Sequence, residues 1–251
     1  DHELARIRDE DHLVARSFSP NGQLLAGTTG VEGGRLQVWD IDRGVAVFPE
    51  ALNGCLGFDF SPDSRVLAVC RTDAAVHLYD LATGGEASRW PTNVVPSYVA
   101  FSPDGRQLAA CSGGRSSTVP IWDVDAASAV TELSVGASTI EHLAWHPNGK
   151  ELALGLSGPE RAEIWDVPSQ RRVAILEGHL GRVTSVSFHP SGDLLVTGSW
   201  DGSTRLWETE TARQVVLLPR GLEFAPWSRD GRIVGAQRTG GTMQLFELDS
   251  G

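Results

Sequence analysis

Cysteine is scarce in this chain. Cys55, Cys70 and Cys111 are the three present among 251 residues, and no two stand at a metal-ligand spacing. Each lies in an apolar stretch ("NGCLGF", "LAVCR", "LAACS"), which reads as a reduced structural thiol in a cytoplasmic protein rather than as a disulfide framework. Basic charge is also in short supply: 21 Lys and Arg face 32 Asp and Glu, a formal net charge of −11. The densest basic stretch is "QRRV" at 170–173. That balance argues against nucleic acid or an anionic membrane as a partner. No apolar run approaches the ~20 residues that a membrane-spanning helix needs, and no signal peptide is visible. The first residue is Asp1 rather than Met, which gives the expectation of a domain of a larger protein. What is present is 41% apolar residues, enough to bury a sizeable core.

Internal repetition decides the fold expectation. A turn motif recurs six times: "FSPNG" at Phe18, "FSPDS" at Phe60, "FSPDG" at Phe101, "WHPNG" at Trp145, "FHPSG" at Phe188 and "WSRDG" at Trp227. Its aromatic anchors are 42, 41, 44, 43 and 39 residues apart. A closing motif keeps step with it at about 37–40 ("QVWD"), 77–80 ("HLYD"), 120–123 ("PIWD"), 163–166 ("EIWD"), 205–208 ("RLWE") and 244–247 ("QLFE"). Each unit reads as a small antiparallel sheet. An apolar strand enters a turn in which Pro presets φ and Gly accepts φ > 0. A second strand, a hairpin turn, a third strand and a weaker fourth segment follow. Neighbours in a strand point to opposite faces, so adjacent apolar residues such as Leu206 and Trp207 predict a sheet covered on both faces. Sheets stacked around an axis meet that requirement.

These residues resemble the WD-repeat family of β-propellers over essentially the whole chain. Three units keep the Trp-Asp pair (Trp39-Asp40, Trp122-Asp123, Trp165-Asp166) and a fourth reads Trp207-Glu208. The fifth unit also carries Gly178-His179. The resemblance implies a buried hydrogen-bonded set at His179, Ser199, Asp201 and Trp207, joining an indole N–H, a hydroxyl, an imidazole and a carboxylate. The other units keep parts of it; the second places Arg71 at the Ser199 position beside Asp73 and Tyr79.

The expectation is therefore an all-β, six-bladed propeller of four-stranded antiparallel blades, one domain over 1–251. Joined end to start, "FELDSG" and "DHELARI" read like an internal unit, so residues 2–8 are expected as the outer strand of the last blade, locking the ring. The alternative is six units cut from a longer array.

Catalytic and metal readings are weaker. His142 and His146 are four apart but lie on a strand and a turn, where that spacing gives no shared helical face. His179, Ser199 and Asp201 have the composition of a nucleophilic triad, yet the resemblance accounts for them as a fold network. "GLSGP" around Ser157 lacks the glycine spacing and strand–helix context of a hydrolase elbow. No enzyme, cofactor or metal is expected.

The resemblance implies a scaffold or sensor domain that binds a protein or peptide on a channel-rim face, in trans or from another domain of the same parent chain. Aligning the units places Trp200, Arg182, Thr184, Arg115, His12, Glu141 and Glu223 on that face. Trp200 stands out because Trp and Arg dominate interface energetics. The alternative class is an enzymatic or periplasmic propeller resembling the TolB-like and peptidase propellers, which share the "SPDG" turn but lack the closing Trp-Asp.

Overall fold

The computed structural model describes residues 14–29, 33–136, 138–219, 227–228, 230–237 and 243–247. Among the described residues every regular element is a strand, and none forms a helix. The chain divides into two compact units, residues 1–101 and 102–251. Residues 2–8, expected to close the ring, lie outside the described residues, as do His12 and Glu223.

The recurring turn has one construction throughout. The N–H after the aromatic anchor donates to the carbonyl five residues on: Ser19 to Leu24 at 2.9 Å, His189 to Leu194 at 2.8 Å, Ser228 to Ile233 at 2.7 Å. The glycine of the motif then holds a left-handed conformation, as at Gly22 (φ 75°) and Gly192 (φ 87°). In the second repeat Ser64 takes that conformation without being glycine (φ 61°). Its hydroxyl accepts the Asn21 N–H at 3.1 Å, a contact that ties the first two turns together.

In the first unit, strands Val14–Phe18, Leu24–Thr28 and Gly34–Asp40 pair antiparallel. The fourth strand of this repeat is two residues long, Val45–Ala46. Strand Leu52–Phe60 of the next repeat takes over the freed edge, pairing Leu52 with Leu36 and Cys55 with Gly34. The first two repeats consequently share one sheet, where separate blades were expected. The cause lies in "VFPE". Phe48 turns into the core against Tyr79, ring centroids 5.4 Å apart, and Pro49 has no N–H to continue the ladder. Strands Val66–Arg71, Ala75–Asp80 and Glu86–Pro91 complete the second repeat. Strand Tyr98–Phe101 packs beside Leu52–Phe60, where Asp59 Oδ2 accepts the Phe101 N–H at 2.8 Å.

In the second unit, Gln107–Cys111, Thr118–Asp123 and Ser128–Ser134 pair antiparallel. Two four-stranded sheets follow. One contains Thr139–Trp145, Glu151–Ser157, Arg161–Asp166 and Arg171–Glu177. The other contains Val183–Phe188, Leu194–Ser199, Ser203–Glu208 and Arg213–Pro219. Ile233–Gln237 and Met243–Glu247 form a last pair.

The faces of the fifth repeat pack as the alternation predicts. Trp207 joins a core cluster with Ala153, Ile164 and Leu176 of the fourth repeat. Leu206, its neighbour on the opposite face, packs with Val196 and with Val234 of the sixth. Both are buried, at 2% and 8% exposure. Each such side chain contributes about 1.5–3 kcal/mol by leaving water, so stacking between repeats is a main source of stability here.

Cys55, Cys70 and Cys111 are free and buried. Burial pushes the thiols of Cys55 and Cys111 up to about 12, which keeps them protonated and unreactive.

Candidate partner-binding surface and the network beneath it

The hydrogen-bonded set of the fifth repeat uses a different hydroxyl from the one expected. The Trp207 indole N–H donates to Thr197 Oγ1 at 2.8 Å, and Thr197 Oγ1 lies 2.7 Å from His179 Nε2. His179 Nδ1 lies 3.0 Å from Asp201 Oδ2. With Asp201 ionised, the ring carries its proton on Nδ1, so Nε2 accepts from the threonine. Trp207, Thr197, His179 and Asp201 then form one directed chain. Ser199 instead donates to Gly181 O at 2.8 Å and accepts the Asp201 N–H at 3.1 Å.

Strand register explains the correction. Leu195 stands opposite Trp207, and Thr197 opposite Arg205. Thr197 and Ser199 share a face, but Thr197 is the diagonal neighbour that an indole reaches. Ser199 is one same-face step too far. Its bond to the Gly181 carbonyl also gives it no nucleophilic relation to the imidazole.

Electrostatics fit this arrangement. Burial pulls the His179 pKa down, partly offset by the carboxylate of Asp201. Burial alone would raise Asp201. Hydrogen bonds from the Ser203 hydroxyl, the Leu180 N–H and His179 outweigh it and hold the carboxyl at about 2. At neutral pH the pair is therefore neutral imidazole and ionised carboxylate.

The position opposite Thr197, held by Arg205 in the fifth repeat, carries buried polar groups in other repeats. In the fourth, Glu163 is 2% exposed. Its Oε2 accepts the Trp165 indole at 2.8 Å, and its Oε1 accepts from Arg161 Nε and Arg172 Nη1, each at 2.9 Å. In the second, buried His77 Nε2 lies 3.1 Å from both oxygens of Asp73, which also accepts from Arg89. Tyr79 accepts from Arg71 rather than meeting Asp73. In the first, Gln37 Nε2 donates to Phe48 O at 3.0 Å. The sequence reading missed these groups. The signal that finds them is the column two residues before the closing aromatic.

Above the fifth-repeat network lies a surface built from loop ends. Gly181 packs on the hairpin at 199–202; a Cβ there would come within 2.7 Å of the Asp201 nitrogen. This contact sets the loop onto the hairpin, and Trp200 N–H donates to Arg182 O at 3.0 Å. The Arg182 guanidinium stacks over the Trp200 ring, 4.8 Å from its centroid. Arg182 Nη1 lies 3.7 Å from Glu141 Oε1. The hairpin holding Arg115 is pinned to the strand before Glu141, through Gly114 N–H to Ile140 O and Ile140 N–H to Ser116 O.

The structure thus brings Trp200, Arg182 and Glu141 together, with the Arg115 hairpin fixed beside them. Thr184 is half-buried and its Oγ1 is enclosed. Leu180, not singled out from the sequence, is 88% exposed, and Trp200 is 62% exposed. No group of three or more His, Cys, Asp or Glu among the described residues is arranged to hold a metal ion.

Repeated antiparallel sheets that stack through a closing aromatic define a repeat protein of the β-propeller class. Residues 92–123 and 170–208 match the family model described as WD domain, G-beta repeat. The chain carries WD repeats over those residues and is similar to WD-repeat proteins. It is 28% identical over 194 residues to telomerase protein component 1 of Mus musculus, a match covering 75% of this chain and 7% of that protein. It is 29% identical over 159 residues to protein groucho of Drosophila melanogaster, covering 61% and 21%. It is 35% identical over 86 residues to WD repeat-containing protein 1 of Xenopus tropicalis, covering 33% and 14%. The chain spans less than a quarter of the length of each of these relatives.

Proposed function

We propose that this chain is a non-catalytic interaction module that binds a protein or peptide on the surface around Trp200. The observation that carries the reading is a large exposed indole on a short hairpin, stacked by Arg182, with exposed Leu180 on a loop, its N–H donating to Asp201 of that hairpin. Exposed aromatic and Arg groups held in place lose little freedom on docking and anchor interfaces. Similarity to other WD-repeat proteins supports a scaffold role, and the Ser199 hydroxyl's use by backbone supports the absence of catalysis.

Within this proposal the six units close as a six-bladed ring, with residues 2–8 completing the last blade. The protein works in the cytoplasm, a setting supported by three free buried thiols. Nucleic acid and membrane are not its partners, a reading supported by the net charge of −11.

The test compares proteins captured from a lysate of the source cells by the parent and by Trp200→Ala. Loss of specific captured proteins, with an unchanged melting temperature, is the expected result. An identical captured set would remove the surface around Trp200 from the reading.

A further inference from the structure

Arg182 sits between an aromatic face and a carboxylate, yet it satisfies one of them poorly. Its guanidinium carbon lies 4.8 Å from the Trp200 centroid, a good stacking distance. Toward Glu141 the nearest approach is 3.7 Å, too long for a hydrogen bond. The Glu141 side chain is 11% exposed, and its enclosed Oε1 accepts no hydrogen bond from the described residues. That carboxylate lies close against Gly114 (φ +79°), where a Cβ would come within 2.8 and 2.9 Å of its two oxygens. Arg182 itself is about half exposed at 49%. A carboxylate with an unused acceptor oxygen therefore stands beside an indole face, covered by a half-exposed cation that makes no hydrogen bond to it.

We infer that Trp200 and Glu141 form a binding site for an arginine side chain of the partner, and that Arg182 is the resident cation which that arginine displaces. An incoming guanidinium combines stacking on the indole with N–H donation to Oε1, two interactions that its planar fork delivers together. A lysine ammonium supplies the charge without the flat face. The net charge of −11 steers a basic segment toward the chain. Leu180 offers an apolar contact to the residue beside that arginine. The inference rests on the proposed reading that this surface binds a partner, and adds what the partner presents.

The probes are three capped peptides of alternating glycine and alanine, with one central arginine, lysine or citrulline. They are titrated into the parent, Arg182→Ala, and the Arg182→Ala, Glu141→Gln double variant, by calorimetry or NMR. A resident cation that fills the site about nine-tenths of the time lowers apparent affinity roughly tenfold. Arg182→Ala is therefore expected to bind the arginine peptide about tenfold more tightly than the parent. Lysine binds more weakly, citrulline hardly at all, and the double variant loses the gain.

No gain in Arg182→Ala, or a gain that survives Glu141→Gln, overturns the inference. Should the double variant melt too low to titrate, the arginine and citrulline peptides on Arg182→Ala decide alone, because citrulline keeps shape and loses charge. The two readings fail separately. Captured proteins lost in Trp200→Ala without any arginine gain in Arg182→Ala would leave the proposed function standing and this inference refuted. Arginine binding with an unchanged captured set would support the site while removing the Trp200 surface from the proposed function.

Discussion

Thr197→Val is the sharpest perturbation of the fifth repeat. Valine keeps the shape of threonine and leaves no cavity, so the change removes one hydroxyl and nothing else. That hydroxyl accepts the Trp207 indole N–H at 2.8 Å and meets His179 Nε2 at 2.7 Å. Both partners are buried, so water does not replace it. Leaving a buried donor or acceptor unpaired costs about 1–3 kcal/mol. Two such atoms, with some relaxation of the ring, give an expected loss of about 3 kcal/mol. Ser199→Ala removes one bond to Gly181 O and one from the Asp201 N–H. Its partners lie on a part-exposed hairpin that water reaches, and the expected loss is about 1 kcal/mol. Urea unfolding followed by tryptophan fluorescence at neutral pH reads both, as a shift of midpoint at constant slope. Because the network acts as a chain, His179→Ala on top of Thr197→Val is expected to add much less than it costs alone. A Ser199→Ala loss equal to that of Thr197→Val would refute the assignment of the hydroxyl.

Burial raises the Asp59 carboxyl to about 7 against an ordinary 3.8, so the folded chain holds a proton there that the unfolded chain has released. Stability from this group is greatest at about pH 4 and falls as pH rises toward 7. Asp59→Asn, which can still accept the Phe101 N–H, is expected to be the more stable protein at pH 8 by on the order of 2 kcal/mol, and to lose that slope in unfolding free energies measured from pH 5 to 8. Glu163→Gln removes the charge facing Arg161 and Arg172 while keeping the indole's acceptor. Its expected cost is about 2 kcal/mol, seen as a lower urea midpoint that raised salt reduces little. His189 Nε2 lies 3.1 Å from Gly231 O, with the ring edge-on to Trp227 at 4.8 Å. His189→Ser, which restores the residue used by other turns, is expected to lower stability by about 1–2 kcal/mol and to speed amide exchange in Ile233–Gln237; unchanged exchange there would count against a bridging role.

The strands and turns were legible because two markers locked together at each repeat, and each marker has a local physical cause. A proline with a left-handed glycine makes the turn, and a closing aromatic beside an aliphatic covers both faces. The merged sheet of the first two repeats was not legible. It depends on how far the Val45–Ala46 pairing runs before Phe48 enters the core, a balance of long-range packing. The network was legible to within one same-face step. Alternation put Thr197 and Ser199 on one side equally, and only the register against Trp207 separates them. The pairing of Arg182 with Glu141 joins different repeats and leaves no local trace, although alignment had placed both on one surface.

Repeats with similar outlines are liable to exchange strands while a chain folds. In the first, second, fourth and fifth repeats the residue two before the closing aromatic is Gln37, His77, Glu163 and Arg205, and each meets a partner provided by its own repeat or loop. A strand carrying Glu163 into the second repeat would bury a carboxylate beside Asp73, far from its arginines. One carrying His77 into the fourth would leave Arg161 and Arg172 without their common acceptor. The variation at these positions thus makes exchange of the strands carrying His77 and Glu163 electrostatically unfavourable.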